Sequence, residues 1–227
     1  LMKKSTNSGN PFFVKRRAVT PKTIPVDLDI VSPDIVQHLT YSDSWLSCAI
    51  LGWRGQEGGP TDEDVKQRVV WMFPYGINIR ELQFYQPAIE QAQKYNLVPA
   101  WNGMDAVDKA VTKLFDTKAK RDLIVCTDFT KFDQHFNPSM QDAARSLLAH
   151  ILNTSSESRR WLKDVFPIKY MIPLAYDVGK IRYGKHGMAS GSGGTNFDET
   201  LVHRALQYEA AISKGKLLNP YSMCLGD

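Results

Sequence analysis

The clearest pattern of hydrophobic and polar positions lies between residues 138 and 152. Apolar side chains recur there three and four positions apart, at Met140, Ala143, Ala144, Leu147, Leu148, Ile151 and Leu152. Asn137 and Pro138 come directly before this stripe, and they are typical of a helix N-cap and a first helical position. The pattern therefore predicts an amphipathic helix that begins at Pro138.

Other segments show weaker patterns. Helical spacing of apolar residues favours helices over 82–95 and 104–115, and a third helix follows residue 195. Alternation over 65–73 predicts a strand with Lys66 and Arg68 on one face. Residues 172–183 predict a hairpin that turns at 177–180. Glycine, proline and polar residues dominate 1–25 and 52–60, and both segments are expected to be loops.

A continuously apolar run, Leu123-Ile124-Val125-Cys126, ends directly at Thr127-Asp128. Such a run predicts a buried strand that places the carboxylate of Asp128 at its C-terminal end. A final short strand is predicted over 221–225, immediately before Gly226 and Asp227. Both predicted strands therefore end at a carboxylate.

Composition narrows the class of protein. Of the 227 residues, 43% are hydrophobic and 11% aromatic, enough for a sizeable buried core. A net charge of +4 is compatible with a nucleic-acid partner but is also common in proteins that bind none. No apolar run approaches the roughly 20 residues that cross a bilayer, so no membrane partner is expected. The three cysteines and five histidines show no metal-ligand spacing and are assigned no role.

Asp128 and Asp133 lie five positions apart at the end of the predicted buried strand. Enzymes that transfer nucleotides use two divalent cations about 3.5–4 Å apart, and such hard cations prefer carboxylate oxygens. Taken alone, an Asp at the end of a strand more often caps or solvates a loop. The order of the surrounding motifs favours the metal-binding interpretation.

Three segments resemble, in order, the motifs of viral RNA-dependent RNA polymerases. The segment from Asp128 to Asp133 resembles motif A, Ser190-Gly191-Ser192-Gly193-Gly194-Thr195 resembles the motif B pattern S-G-x-x-x-T, and Leu225-Gly226-Asp227 resembles the opening of motif C. Lys66-Gln67-Arg68-Val69-Val70 resembles motif F upstream. The sequences of motifs A and B resemble those of the picobirnavirus group, and the partitiviruses are the next most similar group.

This resemblance implies an α+β, right-hand polymerase fold with an antiparallel palm sheet. Residues 1–122 would form an N-terminal extension and the fingers. Residues 123–227 would form the palm with motifs A, B and the start of C, and a fingers-type insertion could lie between A and B. The thumb and the later palm would be missing, and the chain would be an inactive part of a polymerase that replicates and transcribes a viral RNA genome.

The resemblance also implies roles for individual residues. Asp128 and Asp227 would be the catalytic carboxylates and bind two Mg²⁺ or Mn²⁺ ions, and Lys66 and Arg68 would bind the triphosphate. The ribose and the nucleotide would be contacted by Asp133, Ser190, Gly191 and Thr195, together with Asn196 or Glu199. Many related polymerases have Asn where this chain has Glu199, so the choice between Asn196 and Glu199 stays open.

The implied partners are an RNA template, the nascent RNA and nucleoside triphosphates, with a viral capsid protein as a further candidate. The implied location is the virion interior or the host cytoplasm. Two alternatives remain. A reverse transcriptase shares the palm but usually has a bulky residue where Asp133 lies, and a non-catalytic RNA-binding protein would use the basic segments alone.

Overall fold

The structure, a computed structural model, describes residues 2–24, 26, 48–56, 58–61 and 64–226, with only the backbone of residues 56 and 66. Within these residues the chain is α+β. Its helices are α1 (Arg16–Thr23), α2 (Tyr75–Lys94), α3 (Met104–Thr117), α4 (Phe132–His135), α5 (Pro138–Ile151), α6 (Ser156–Asp164) and α7 (Thr195–Ser213). Its strands are β1 (Ala49–Gln56), β2 (Lys66–Met72), β3 (Leu174–Asp177) and β4 (Lys180–Arg182).

The four strands form one sheet in the order β2-β1-β3-β4. The β1–β2 and β3–β4 pairs are antiparallel, whereas β1 and β3 are parallel through two residue pairs, Ala49 with Leu174 and Ile50 with Ala175. The sheet of the described residues is therefore mixed, and it does not include the palm strands predicted at 123–126 and 221–225. Parallel pairing is possible because a long, largely helical connection separates β1 from β3.

Several local predictions are confirmed. The carbonyl oxygen of the Asn137 side chain accepts a hydrogen bond from the Met140 backbone N–H at 3.1 Å, and α5 begins at Pro138. The predicted strand over 65–73 is β2, and the predicted hairpin is β3 and β4. These elements follow local signals, namely a cap, an alternation and a glycine turn.

The hydrophobic core has two clusters of buried residues. The larger one joins α2, α6 and α7 through aromatic rings, with the Phe84 ring centroid 5.0 Å from that of Trp161 and 5.8 Å from that of Phe197. The smaller one, which includes Ala49 and Ile77, packs the sheet against α2. Helix α2 therefore contacts both the sheet and the later helices.

The two strands predicted to carry the catalytic carboxylates are not observed. Residues 122–129 have no regular secondary structure and pair with no strand of the described chain, and the Leu123 and Val125 side chains are 88% and 76% exposed. Residues 222–226 likewise form no strand. An extended segment becomes a strand only when a neighbour supplies its hydrogen bonds, and the described residues place none beside these two segments.

Two segments expected to be loops contain regular structure. Helix α1 forms within the N-terminal segment because Val19 is buried and the hydroxyl of Thr20 lies 3.2 Å from that of Tyr75. Strand β1 extends to residue 56 because every residue from 50 to 56 faces a partner in β2. Tertiary contacts override the local loop signals in both cases. Among the described residues, no helix is long and apolar enough to cross a lipid bilayer.

Candidate active site

The structure brings Asp133 and Ser190 into direct contact. Asp133 lies in the first turn of α4, and its Oδ2 accepts a hydrogen bond from the Ser190 hydroxyl. Its backbone carbonyl accepts a second bond, from the Met188 N–H at 2.8 Å. A Cβ on Gly187 would collide with that same carbonyl oxygen, so glycine allows this close approach. Two residues predicted to contact the nucleotide therefore lie side by side, although they are 57 positions apart.

The residues from Ser190 to Gly194, here called the glycine loop, also contact the sheet. The Trp71 backbone N–H donates to the Ser190 carbonyl at 2.8 Å. Gly191 has a φ of +126°, and a Cβ there would collide with the Trp71 carbonyl oxygen. Only glycine fits this position. The hydrogen bond between Trp71 and Ser190 attaches the loop to β2, the strand that carries Arg68.

The second half of the glycine loop contacts α2. Glu81 is fully buried, and its Oε1 accepts from the Ser192 hydroxyl at 2.5 Å while its Oε2 accepts from the Gly193 N–H at 2.7 Å. Burial raises the pKa of Glu81, and the nearby charge of Lys169 acts in the opposite direction. Gly194 packs so closely on Tyr85 that a Cβ would collide with the ring.

A buried ion pair lies where the glycine loop enters α7. Lys169 Nζ is 3.0 Å from Asp198 Oδ2, and both side chains are fully buried. The hydroxyls of Tyr85 and Tyr170 donate to the same carboxylate at 2.9 and 3.0 Å. Burial, and then the charge of Asp198, raises the pKa of both tyrosines, so they remain donors. The start of α7 is thus fixed by charge-assisted hydrogen bonds.

Asn196 and Glu199, the two alternatives for a ribose contact, both lie near Gly226. A Cβ on Gly226 would be 3.4 Å from Asn196 Nδ2 and 3.8 Å from Glu199 Oε2. Asn196 is exposed and accepts from the indole N–H of Trp101 at 2.8 Å, whereas Glu199 is buried. Thr195, at the first position of α7, donates to the Ser192 carbonyl at 3.3 Å. The structure therefore places Asn196 and Glu199 beside Gly226, the glycine of the segment that resembles motif C.

His203 is a residue that the sequence analysis missed. Its Nδ1 lies 2.8 Å from the Gly226 carbonyl oxygen, and the edge of the Phe129 ring packs on it at a centroid distance of 4.9 Å. Phe129 follows Asp128, and Gly226 precedes Asp227. The residues beside both candidate catalytic carboxylates therefore contact one buried imidazole. A single histidine inside a helix gives no spacing signal in the sequence.

Asp128 is exposed, and no hydrogen bond occupies its carboxylate within the described chain. An accessible carboxylate with free oxygens fits a Mg²⁺ or Mn²⁺ ligand. Asp227 lies outside the described residues, so its part in the site stays a prediction. No group of three or more metal-ligand side chains occurs in the part of the chain that the structure describes.

Arg68 is exposed on β2 and lies directly opposite Arg54 of β1. Two like charges at facing positions of an antiparallel pair repel each other, and an anion between them would relieve that repulsion. Lys66 faces residue 56 through its backbone, and its side chain lies outside the described residues. The β1–β2 pair therefore presents a basic face at the predicted triphosphate site.

Comparison with known proteins identifies the class of protein to which this fold and this motif order belong. The family model described as viral RNA-dependent RNA polymerase matches residues 59–227, and the chain belongs to that family. Over all 227 residues it is 63% identical to the potential RNA-dependent RNA polymerase of human picobirnavirus (strain Human/Thailand/Hy005102/-), and it covers 42% of that protein. The resemblance found in the motifs is confirmed.

Solved structures agree with this assignment. Two crystal structures of the RNA-dependent RNA polymerase of a human picobirnavirus, one of them an insertion-loop deletion mutant, match the whole chain with TM-scores of 0.90 and 60% identity. The chain covers 43% and 44% of these polymerases, less than half their length. The RNA polymerase VP1 of infectious pancreatic necrosis virus matches 97% of the chain, which covers 34% of VP1, with a TM-score of 0.65 at 17% identity, a likeness of fold alone.

Proposed function

We propose that the chain supplies the fingers and part of the palm of a polymerase that copies an RNA template into RNA. Residues 1–122 would be the N-terminal extension and fingers, and residues 123–227 the palm with motifs A, B and the start of C. The observation that carries the proposal is the contact between Ser190 and Asp133. It joins motifs A and B at the point where a polymerase reads the sugar of the incoming nucleotide.

The chain's own residues divide the work of nucleotide binding. Asp133 Oδ2 is engaged by Ser190, and its Oδ1 accepts no hydrogen bond from the described residues, so Oδ1 is available to a ribose 2′-hydroxyl. A deoxyribose would leave that acceptor unpaired, at a cost of about 1–3 kcal/mol. Arg68, with Lys66 beside it in sequence, would neutralise the triphosphate.

Asp128, together with Asp227, would bind the two divalent cations. When bound, Mg²⁺ or Mn²⁺ would activate the primer 3′-hydroxyl and stabilise the leaving pyrophosphate. Asp128 suits this role because its carboxylate is accessible and is not engaged by described neighbours. His203 supports the proposal, since it contacts the residues beside both carboxylates.

The test uses a full-length polymerase, made by exchanging this chain for the aligned 227-residue segment of the human picobirnavirus relative. Asp128→Asn should lower nucleotide incorporation on a primed RNA template by about 10³-fold or more, since metal binding supplies several kcal/mol of catalysis. Asp142→Asn, an exposed aspartate on α5, is the matched control and should leave the rate unchanged. Full activity of Asp128→Asn would overturn the proposal.

The proposed partners are the RNA template, the nascent RNA and nucleoside triphosphates, with a viral capsid protein as a further candidate. The proposed location is the virion interior or the host cytoplasm. The support for these proposals is the family relation and the basic face of the β1–β2 pair. A reverse transcriptase would instead favour deoxyribonucleotides in the incorporation assay, and an RNA-binding protein without activity would bind RNA equally well with and without divalent metal.

A further inference from the structure

Glu81 is a buried carboxylate outside every polymerase motif found in the sequence. It lies on α2 with no exposed surface. A carboxyl group without partners would be very costly at such a position, and Glu81 has three donors. Ser192 and Gly193 of the glycine loop donate at 2.5 and 2.7 Å, and Asn78 Nδ2 donates at 3.1 Å. The residue is thus built into the fold as an acceptor for the glycine loop.

Asn78, one helical turn before Glu81, extends this support. Its Nδ2 also donates to the Gly191 carbonyl at 3.3 Å, and its Oδ1 accepts from Arg16 Nη2 of α1 at 3.0 Å. Asn78 and Glu81 together bind three consecutive residues of the loop, 191 to 193. One face of α2 therefore determines the position of the loop.

The same loop controls Asp133 at its other end. Ser190 donates through its side chain to Asp133 Oδ2, and its carbonyl accepts from Trp71 N–H. Gly191 links the two halves, and the Trp71 carbonyl fills the space where its Cβ would lie. Only Gly191 separates Ser192 from Ser190, so a shift of Ser192 also shifts Ser190. A displacement at Glu81 is therefore transmitted through two residues to the carboxylate of Asp133.

We propose that Glu81 is a positioning residue for sugar selection, which it sets by fixing the glycine loop so that Ser190 orients Asp133. This inference rests on the proposed role of Asp133 in reading the ribose. Glu81 touches neither the substrate nor the reacting atoms. Its removal leaves the carboxylate of Asp133 in place but frees it to rotate, so the ribose acceptor is no longer aimed at one position.

Four variants in the full-length polymerase separate this role from simple stability. Glu81→Ala removes the acceptor, and Glu81→Gln keeps its shape and one acceptor oxygen. Glu90→Ala is the matched control, because Glu90 is exposed on the same helix and accepts only a 3.4 Å bond from Gln86 among described residues. Ser192→Ala serves as a second test in case Glu81→Ala fails to fold, since it removes the side-chain bond from the loop side.

The first measurement is the ratio of kcat/KM for a ribonucleotide to that for its 2′-deoxy analogue on one primed template. Glu81→Ala should lower this ratio about tenfold, the equivalent of one well-placed hydrogen bond. Ser192→Ala should lower it in the same direction by less. Glu81→Gln should restore it to within about threefold of the unmodified protein, and Glu90→Ala should not change it.

The second measurement is hydrogen exchange of the 190–195 backbone amides, which requires no activity. Glu81→Ala should speed exchange at residues 193 and 194 at least about tenfold. Unchanged exchange would overturn the anchoring of the loop. Faster exchange with an unchanged sugar ratio would show a purely structural residue and would also overturn the proposal. Asp133→Ala isolates the underlying function: an unchanged ratio in that variant would refute the role of Asp133, whatever the result at Glu81.

Discussion

The start of α7 and the segment of residues 122–130 both supply candidate site residues, but the chain builds them in opposite ways. At the start of α7, Asp198 is fully buried and its carboxylate accepts hydrogen bonds from Lys169, Tyr85 and Tyr170. In the 122–130 segment, Asp128 is exposed and the described residues leave its carboxylate free. The hydrogen bonds in the first region fix the position of the Asp198 carboxylate, whereas the second region leaves the Asp128 carboxylate accessible.

This difference reflects a trade-off between a fixed orientation of a carboxylate and the availability of its lone pairs. A buried carboxylate can be oriented by several donors, but those donors occupy its lone pairs and no ligand can use them. An exposed carboxylate keeps its lone pairs and gives up a fixed orientation. The buried carboxylates Asp198 and Glu81 accept hydrogen bonds that hold the glycine loop and the start of α7, whereas the oxygens of Asp128 stay accessible to a ligand.

The largest expected effect is a loss of stability at the start of α7, caused by Lys169→Met. It would leave Asp198 buried without its cation, and the free energy of unfolding should fall by about 3–5 kcal/mol. Urea denaturation followed by tryptophan fluorescence would measure the loss. Lys180→Met is the control, because the Lys180–Asp177 pair is more than half exposed and solvent screening should make the effect of its loss on the free energy of unfolding small. Equal effects would contradict the central role of the buried pair.

A second test concerns the packing that holds the glycine loop on α2. Gly194→Ala would drive a methyl group into the Tyr85 ring, and overpacking of this kind costs about 1–3 kcal/mol. Thermal unfolding would report it as a lower Tm. Gly55→Ala in β1, where a Cβ meets Val65 at an ordinary 3.4 Å, should change stability by less than about 0.5 kcal/mol. An unaffected Tm for Gly194→Ala would show that the loop shifts freely.

The 122–130 segment can be probed through His203. His203→Phe retains a ring against Phe129 and removes the hydrogen bond to Gly226, whose carbonyl is buried. If that bond orients the following Asp227, the Mg²⁺ concentration for half-maximal incorporation should rise about 2- to 10-fold. Tyr208→Phe on the same helix, at an exposed site, is the control. A metal requirement that does not change would limit His203 to packing.

The smallest expected effect is a pH dependence from His186, whose ring contacts that of Trp71 at a centroid distance of 4.4 Å just before the glycine loop. Burial lowers its pKa, while the carbonyls of Gly187 and Ile172 at its two ring nitrogens oppose the shift. Because the folded pKa lies below the unfolded value of about 6.5, the unfolded state binds more protons below that pH. Stability should therefore fall as the pH decreases from 7 to 5, by about 1 kcal/mol or less.

His186→Phe should remove this contribution, and the comparison of its denaturation midpoints at the two pH values with those of the unmodified protein isolates it. A gain of stability on acidification that disappears in His186→Phe would mean that the two carbonyls dominate over burial. That result would reverse the assigned direction of the pKa shift.

The sequence predicted the elements that carry local signals. Asn137 and Pro138 mark the first turn of α5 because a cap and a proline act on their own neighbours. The start of α2 was missed by seven residues, since its first turns bury polar side chains, Asn78 and Glu81, that a hydrophobic pattern treats as exposed. The apolar run at 123–126 predicted burial, which requires a partner that no local pattern can show.

The residues of the candidate site also differ in whether the sequence alone could reveal them. Asp133 and Ser190 were found through motif order, yet their mutual contact spans 57 residues and only the fold reveals it. Lys169 and Asp198 gave no signal, because charged residues in a sequence are ordinarily solvated. His203 also went unnoticed, since its importance comes from two chain segments that the fold brings together.

The contact between Tyr85 and Asp198 has a consequence for synthesis of the protein on the ribosome. The two residues are 113 positions apart. At roughly 5–20 residues per second, Tyr85 is synthesised about 6 to 23 s before Asp198. During that interval the side chains of Glu81 and Tyr85, which are buried in the folded protein, lack these partners. The long-range hydrogen bonds that fix the glycine loop can therefore form only after residue 198 has been synthesised. Until then the nascent chain would be a substrate for chaperones, which bind exposed apolar segments.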